Sequence, residues 1–358
     1  MSRFTLLVAL SSALASFAQS RACTTVLEPE FDLVIEGGKI VDGSGNPWFL
    51  GDLAIRGDQI VRITPAGLLK DADAKQRLDA RGLVVAPGFI DIQSQSRDAL
   101  LVGDGRVISK VTQGVTTEIL GEGTSNAPSR QFDGPRGFDA WLKAMERHGG
   151  SVNFGSFLGS GSVRSHVKAM AQGAPSPAEL QRMREIVREA MKDGAFGLAS
   201  ALIYPPDSFV STDDLIALCR EMAPFGGVYI THMRSEGDQL LEAIDEAIRI
   251  GKESGVAVEI YHLKAAGKKN WNKAQAAIDK IAAARAGGQD VAADMYPYTA
   301  GGTGLTACLP PWAAADGKLF ISTMKGELVV ARATAKEYQE IGRVALFETT
   351  RQAPALAG

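Results

Sequence analysis

The fold is decided by two short apolar runs that each end on a histidine, VYITH at residues 228–232 and VAVEIYH at residues 256–262. Between them, residues 240–254 carry their apolar side chains on one helical stripe, which Gly255 closes. A strand, a helix and a second strand in this order place the two strands parallel and side by side. We therefore expect both histidines at one edge of a parallel sheet, where its strands end.

The same order of strand, loop and helix repeats from Ala86 onward. Its spacing of 28 to 43 residues suits an α/β fold of the (β/α)8 (TIM) barrel type, which allots roughly 31 residues to each unit. After the seventh unit only residues 328–330 offer another strand, so the barrel is expected to lack its eighth unit. The seven predicted strands end near Gln93, Gly121, Leu158, Ala201, His232, His262 and Tyr296.

The N-terminus has the pattern of a targeting segment. Arg3 precedes an apolar stretch from Phe4 to Ala15, which is too short to span a bilayer. Small residues follow at the positions that a signal peptidase recognises. We therefore expect a signal peptide over residues 1–18, no membrane span, and a periplasmic or secreted protein.

Three further parts follow the targeting segment. Residues 31–85 predict a small β subdomain, a β-sandwich part, in which the strand ending at Gly37-Gly38 continues as a hairpin. Residues 86–315 hold the barrel units. Residues 316–358 form a divergent tail, as expected if the chain is cut short or altered in reading frame after about residue 315.

Composition and charge exclude several classes of protein. The chain has 38 Lys and Arg residues against 41 Asp and Glu residues, so it has no basic excess to bind nucleic-acid phosphates. Three cysteines without a paired pattern cannot form a disulfide framework or a zinc finger. A hydrophobic fraction of 45% is enough to bury a large core.

Histidines are the first candidates for chemistry. His232 and His262 end adjacent predicted strands at the mouth of the barrel, where two imidazoles can bind one metal ion. The alternative is that they are two unrelated polar residues at strand ends. His148 and His166 lie in polar helical or loop sequence, which indicates surface positions.

Seven motifs carry a resemblance to a known family. Over residues 31–312 the chain resembles the D-aminoacylase (N-acyl-D-amino-acid deacylase) branch of the amidohydrolase superfamily, whose fold is a metal-dependent hydrolase barrel. The motifs are VVAPGFID at residues 84–91, QGVTT at 113–117, GAFGL at 194–198, YPP at 204–206, THMRSEGD at 231–238, HLK at 262–264 and DMYPYTAGGT at 294–303.

This resemblance implies zinc-assisted hydrolysis of the linear amide bond of small N-acyl-D-amino acids. His232 and His262 match the two zinc-binding histidines of the fifth and sixth strands. Lys264 matches the lysine that recognises the substrate carboxylate, and the alternative for it is a solvated loop cation. Tyr296 matches the tyrosine that polarises the scissile carbonyl, with a packed core aromatic as the alternative.

The chain departs from the family pattern at its metal ligands. The family's first strand ends Asp-x-His-x-His, but Gln93 and Gln95 stand at the histidine positions, so we expect one zinc ion rather than two. Gly123 occupies the position of the family's cysteine ligand. The adjacent Glu122 is the nearest group able to bind the metal, although it could equally cap backbone amides in the turn.

The aspartate that serves the family as general base on the eighth strand has no counterpart, and Asp294 is not an obvious substitute. Activity is therefore expected to be weak or absent. A cyclic-amide hydrolase of the hydantoinase or dihydroorotase type is one alternative, although residues 197–201 lack the lysine that such enzymes carry on the fourth strand. Outside the enzymes, the alternatives are a catalytically dead truncated barrel and a degenerate barrel that only binds a ligand.

Overall fold

The computed structural model describes residues 29–296, 298, 302, 318–322, 327–332 and 339–345. The chain divides into two compact units, Met1–Pro87 and Gly88–Gly358. The predicted signal peptide lies outside the described residues. Among the helices that are described, none combines the length and apolar character needed to cross a membrane.

The first unit contains one five-stranded sheet in its described part. Its strands are β1 (Phe31–Ile40), β2 (Phe49–Arg56), β3 (Gln59–Pro65), β4 (Ala74–Asp79) and β5 (Val84–Val85). The order is β3-β2-β1-β4, and β5 also pairs with β1. β1, β2 and β3 pair antiparallel, whereas β4 and β5 run parallel to β1. A second sheet, which a sandwich requires, stays a prediction.

The predicted hairpin at Gly37-Gly38 is wrong. β1 continues through both glycines to Ile40, and its register with β2 shifts between Ile35 and Gly38. The two glycines therefore form a β-bulge, in which Gly37 adopts a φ of +69°. Asp52 accepts the backbone N–H of Gly37 at 2.9 Å, which satisfies a donor that the bulge removes from the ladder.

The second unit contains a series of parallel strands whose neighbours follow chain order. The strands are β6 (Phe89–Asp91), β7 (Val115–Leu120), β8 (Asn153–Ser156), β9 (Leu158–Gly159), β10 (Gly197–Ala201), β11 (Val228–His232), β12 (Ala257–Ile260) and β13 (Val291–Ala293). Their orders are β6-β7-β8 and β9-β10-β11-β12-β13. Only Phe157 separates β8 from β9, so together they count as the third of seven strands.

Every predicted strand end agrees with the structure to within three residues. This order is that of a TIM-type barrel, and its closure stays a prediction.

Eight α-helices accompany these strands in the described residues. They are α1 (Arg97–Leu101), α2 (Ile108–Val111), α3 (Gly137–His148), α4 (Ser160–Lys168), α5 (Pro177–Lys192), α6 (Thr212–Met222), α7 (Leu240–Ser254) and α8 (Ala274–Ala286). Short 3-10 helices cover Asp207–Phe209, Ala223–Phe225 and Lys268–Lys273. Ser176 and Glu179 form a capping box at the start of α5, and Gly255 ends α7 in the left-handed conformation.

The core of the second unit lies around β10 and β11. Every residue of β10 is buried, and β11 is buried from Tyr229 to His232. Strands that are buried on both faces are typical of parallel sheets covered by helices. His232 thus lies at the carboxyl end of a buried strand, and His262 follows the end of the neighbouring strand β12.

The tail contains an antiparallel sheet. Its strands β14 (Lys318–Ser322), β15 (Glu327–Arg332) and β16 (Glu340–Ala345) pair in the order β14-β15-β16. The candidate strand at residues 328–330 is therefore a strand, namely the middle of β15. Because it pairs antiparallel on both sides, it is not an eighth parallel barrel strand.

Candidate metal centre

Three side chains from three different strand ends converge in the second unit. Glu122, His232 and His262 each offer one ligand atom, and these atoms lie within 4.8 Å of one another. Glu122 Oε1 lies 3.1 Å from His232 Nδ1 and 3.7 Å from His262 Nε2. The two ring nitrogens are 3.0 Å apart. The predicted convergence of the two imidazoles is thus present.

These separations fit a tetrahedral zinc ion. Zinc binds carboxylate oxygen and imidazole nitrogen at about 2.0–2.2 Å, so two tetrahedral ligand atoms lie about 3.3–3.6 Å apart. The three observed distances of 3.0, 3.1 and 3.7 Å bracket that range. Two histidines and one carboxylate leave a fourth position for water or substrate, which is the pattern of catalytic zinc sites.

The local backbone explains why Glu122 reaches the histidines. It follows β7 between Gly121 and Gly123, whose φ angles are +109° and +59°. These left-handed conformations favour glycine and make a tight turn at the end of the strand. A Cβ at Gly121 would lie 2.3 Å from the carbonyl oxygen of Phe157, so the close approach of the next strand also requires glycine.

The backbone of His262 is held in an uncommon conformation. Its φ is +40°, although it is not glycine. The side chain of Asp294 accepts its backbone N–H at 2.7 Å, which helps to fix this geometry. Such conformations are concentrated at functional sites, where the surrounding structure maintains them.

Opposite charges stabilise the ionised forms of this cluster. Burial raises the pKa of Glu122, but hydrogen bonds from His232, His262 and Gln93 outweigh it and hold that pKa well below its usual value. Burial lowers the pKa of His262, but its bonds to Glu122 and Glu236 outweigh burial and raise it to about 9. Without a metal ion the cluster therefore pairs a carboxylate with an imidazolium, and both groups can become ligands once that proton leaves.

Glu236 lies against the candidate ligands, although the sequence analysis did not single it out. Its Oε1 lies 2.9 Å from His262 Nδ1 and 2.5 Å from Lys264 Nζ. A carboxylate on the second ring nitrogen fixes the tautomer of a metal-binding histidine and leaves the other nitrogen, here Nε2, for the metal. The THMRSEGD motif contains this residue, four positions after His232, but contact with His262 arises only from the tertiary fold.

The structure places Lys264 and Tyr296 beside the ligand cluster. Lys264 Nζ lies 2.8 Å from His262 Nδ1 and 5.3 Å from the centre of the Tyr296 ring. The Tyr296 ring centre is 6.2 Å from that of His262. Burial and the negative charge of Glu236 raise the pKa of Tyr296, which keeps its hydroxyl protonated and able to donate.

These residues line one cavity of about 1160 Å³. Its wall contains the three candidate ligands together with Gln93, Gln95, Glu236, Lys264 and Tyr296. The wall also contains apolar and aromatic residues, namely Ile203, Tyr204, Pro205, Pro206 and Trp271, and the Tyr204 ring packs against His232 at 5.2 Å between ring centres. The cavity thus combines the three candidate ligands with apolar and aromatic wall residues, as expected for a small-molecule site.

The remaining candidates lie elsewhere or play other parts. His166 pairs with Asp133 at 3.1 Å, and His148 is the last residue of α3. Neither belongs to the metal-binding group. A Cβ at Gly123 would lie 2.6 Å from the Cβ of Ala201, so the backbone of this turn does not accommodate a cysteine without movement.

Comparison with known proteins gives a consistent set of relatives. No family model matches the chain. It is similar to D-aminoacylase from Alcaligenes xylosoxydans xylosoxydans, at 38% identity over 288 residues, covering 76% of this chain and 58% of that protein. It is also similar to N-acyl-D-aspartate deacylase from the same organism, at 33% identity over 326 residues, covering 87% of this chain and 63% of that protein.

Solved structures agree with these relatives. N-acyl-D-glutamate deacylase from Bordetella bronchiseptica, in complex with zinc and a phosphonate mimic of the tetrahedral intermediate, has a TM-score of 0.68 and 31% identity. A D-aminoacylase described by its binuclear metal centre, with one-metal activation and second-metal attenuation, has a TM-score of 0.68 and 34% identity. Both matches cover 75% of this chain and 59% of the solved chain. The chain thus spans about three fifths of the length of the proteins it matches.

Proposed function

Because the chain belongs, over the residues that align, to the D-aminoacylase branch of the amidohydrolase superfamily, we propose that it is a zinc-dependent hydrolase of N-acyl-D-amino acids. The reaction would cleave the linear amide bond and release a carboxylate and a D-amino acid. One observation carries the proposal above all others. Ligand atoms of Glu122, His232 and His262 lie at separations that suit a single tetrahedral zinc ion.

We propose that the site holds one zinc ion through His232, His262 and Glu122. Gln93 and Gln95 stand where the family's second pair of ligands lies, and amide side chains bind zinc poorly beside imidazole. A single ion is compatible with catalysis in this branch, since one-metal activation is described for a related D-aminoacylase. When bound, zinc supplies a Lewis acid that polarises a carbonyl and lowers the pKa of water.

The residues around the ligands would bind and orient the substrate. The Lys264 ammonium carries three N–H donors and contacts Glu236 and His262 Nδ1, so at least one donor is available for the substrate carboxylate. The protonated Tyr296 hydroxyl would donate to the carbonyl oxygen as negative charge develops on it. The apolar wall at Ile203 and Trp271 would contact the acyl group or the amino-acid side chain.

We propose that turnover is slow. A general base contributes typically about 10²–10⁴-fold to such reactions. The carboxylates that line the described cavity are Glu122, Asp207 and Glu236. Glu122 faces the histidines, Glu236 pairs with Lys264, and buried Asp207 bonds to Ser160 and to the backbone N–H of Ala201. Each is thus already engaged, so none is well placed to accept a proton from an attacking water.

A cyclic-amide hydrolase is the weaker candidate. The fourth strand of the series, β10, contains Gly-Leu-Ala-Ser-Ala and hence no lysine for carboxylation. An L-hydantoinase structure shares the fold at a TM-score of 0.50 and 19% identity, which supports the architecture alone.

The experiment is a paired measurement of metal and activity on purified protein. We expect one zinc per chain and slow release of D-amino acid from N-acetyl-D-amino acids, with none from the L-enantiomers. His262→Ala should abolish both signals, and His148→Ala should change neither, because His148 lies outside the group. Zinc-free wild-type protein would contradict the metal site, whereas one zinc without any hydrolysis would favour a barrel that only binds its ligand.

A further inference from the structure

The loop after β6 presents its side chains alternately to two glutamates. Ser94 Oγ and Ser96 Oγ donate to the same oxygen, Oε1, of Glu118, at 2.7 and 2.8 Å. Gln95 instead donates from Nε2 to Glu122 Oε2 at 2.7 Å. The two serines thus hold the loop through Glu118, while the glutamine between them contacts Glu122 in the group of candidate ligands.

The glutamate that accepts both serine hydrogen bonds is buried and lies near a compensating positive charge. Glu118 lies within β7 and is fully buried. Lys110 Nζ lies 3.7 Å from Glu118 and 2.5 Å from Asp91, which compensates the buried negative charge. The loop that carries Gln95 is therefore tied to the same strand that ends next to Glu122.

The two oxygens of Glu122 have different partners. Oε1 faces the ring nitrogens of His232 and His262, while Oε2 accepts the amide of Gln95. Because the Gln95 amide occupies Oε2, Oε1 is the oxygen that can bind an ion. The same hydrogen bond holds Oε1 towards the two imidazoles.

We propose that Gln95 is a positioning residue that holds Glu122 so that one carboxylate oxygen faces the ion. Gln95 stands at a position that supplies a metal ligand in the family, and in this chain it would instead support a site for a single ion. This inference rests on the proposed zinc site and adds how the carboxylate is selected and oriented. A side-chain partner of this kind is typically worth about 10–100-fold in metal affinity. In this role Gln95 acts through Glu122 rather than as a ligand of the ion.

The test compares Gln95→Met, which has a similar length but no donor, with the matched variant Gln275→Met. Gln275 donates to Asp279 at 2.8 Å on the exposed face of α8. This is also an exposed amide-to-carboxylate hydrogen bond, and it lies far from the candidate ligands in sequence. Zinc dissociation constants are measured on the full chain by competition with a chromophoric chelator. The absorption spectrum of the Co²⁺-substituted protein reports the coordination of the ion.

We expect Gln95→Met to bind one zinc about 10–100-fold more weakly and to alter the Co²⁺ spectrum. The melting temperature of its metal-free form should stay unchanged, because Gln95 is exposed. Gln275→Met should match the wild type in all three measurements. A zinc affinity of Gln95→Met within twofold of the wild type overturns this inference alone, whereas wild-type protein that binds no zinc overturns the proposed function.

Discussion

Replacing Gly123 with cysteine, the family's ligand at this position, should destabilise the protein rather than improve the metal site. Gly123 has a φ of +59°, and a residue with a side chain in this region costs about 1–2 kcal/mol. Its Cβ would lie 2.6 Å from the Cβ of Ala201, and overpacking of this kind costs typically about 1–3 kcal/mol more. We expect Gly123→Cys to lower the free energy of unfolding by about 2–5 kcal/mol, or the melting temperature by roughly 3–7 °C.

Two further variants separate these contributions in thermal and urea unfolding. Gly226 has a φ of +69°, and a Cβ added there would meet no atom within 4 Å, so Gly226→Cys measures the backbone cost alone. Ala201→Gly combined with Gly123→Cys removes the collision, so the double variant should be about 1–3 kcal/mol more stable than the sum of the single effects. Full additivity, or a Gly123→Cys variant as stable as the wild type, would refute this explanation of the turn.

The remaining predictions concern the metal and its surroundings. His232→Ala should lose zinc as measured by elemental analysis, while His166→Ala keeps it, and equal zinc in both would contradict the ligand assignment. Glu236→Gln should weaken zinc binding about 10–100-fold in chelator competition, because the His262 Nδ1–H loses a charged acceptor. Unchanged binding would show that Glu236 does not orient the ring. The pKa of His262 is raised to about 9, so protonation of this ring stabilises the metal-free protein by an amount on the order of 3 kcal/mol. This stabilisation is fully present below about pH 6.5 and is lost as the pH rises through 9. Unfolding of the metal-free protein across this range, compared with His262→Gln, measures the slope, and equal slopes would contradict it.

The sequence predicted the strand ends of the second unit well because each follows an unambiguous apolar run. His232 ends β11 as predicted, and His262 follows β12 by two residues. β10 and most of β11 are buried on both faces, and such continuous apolar runs are less ambiguous than short amphipathic segments. Because a helix separates the two strands in the sequence, they are parallel, and residues at their carboxyl ends can be placed on one edge of the sheet.

Features that depend on distant contacts were not predictable in the same way. The turn signature of Gly37-Gly38 favoured a hairpin, but Asp52, fifteen residues away, accepts the Gly37 N–H and stabilises a bulge. Glu236 lies in a loop whose local pattern carries no sign of its contact with His262. Glu122 could equally have capped its own turn, and only the tertiary positions of the two imidazoles favour a ligand.

The most direct test of the central claim is X-ray absorption spectroscopy of the zinc-loaded protein. We expect nitrogen and oxygen ligands at about 2.0–2.2 Å, with multiple scattering from two imidazoles. Glu122→Gln should reduce zinc affinity and change this spectrum, since one oxygen ligand loses its charge. A sulfur shell at about 2.3 Å, or a spectrum with no imidazole contribution, would contradict a centre built from Glu122, His232 and His262.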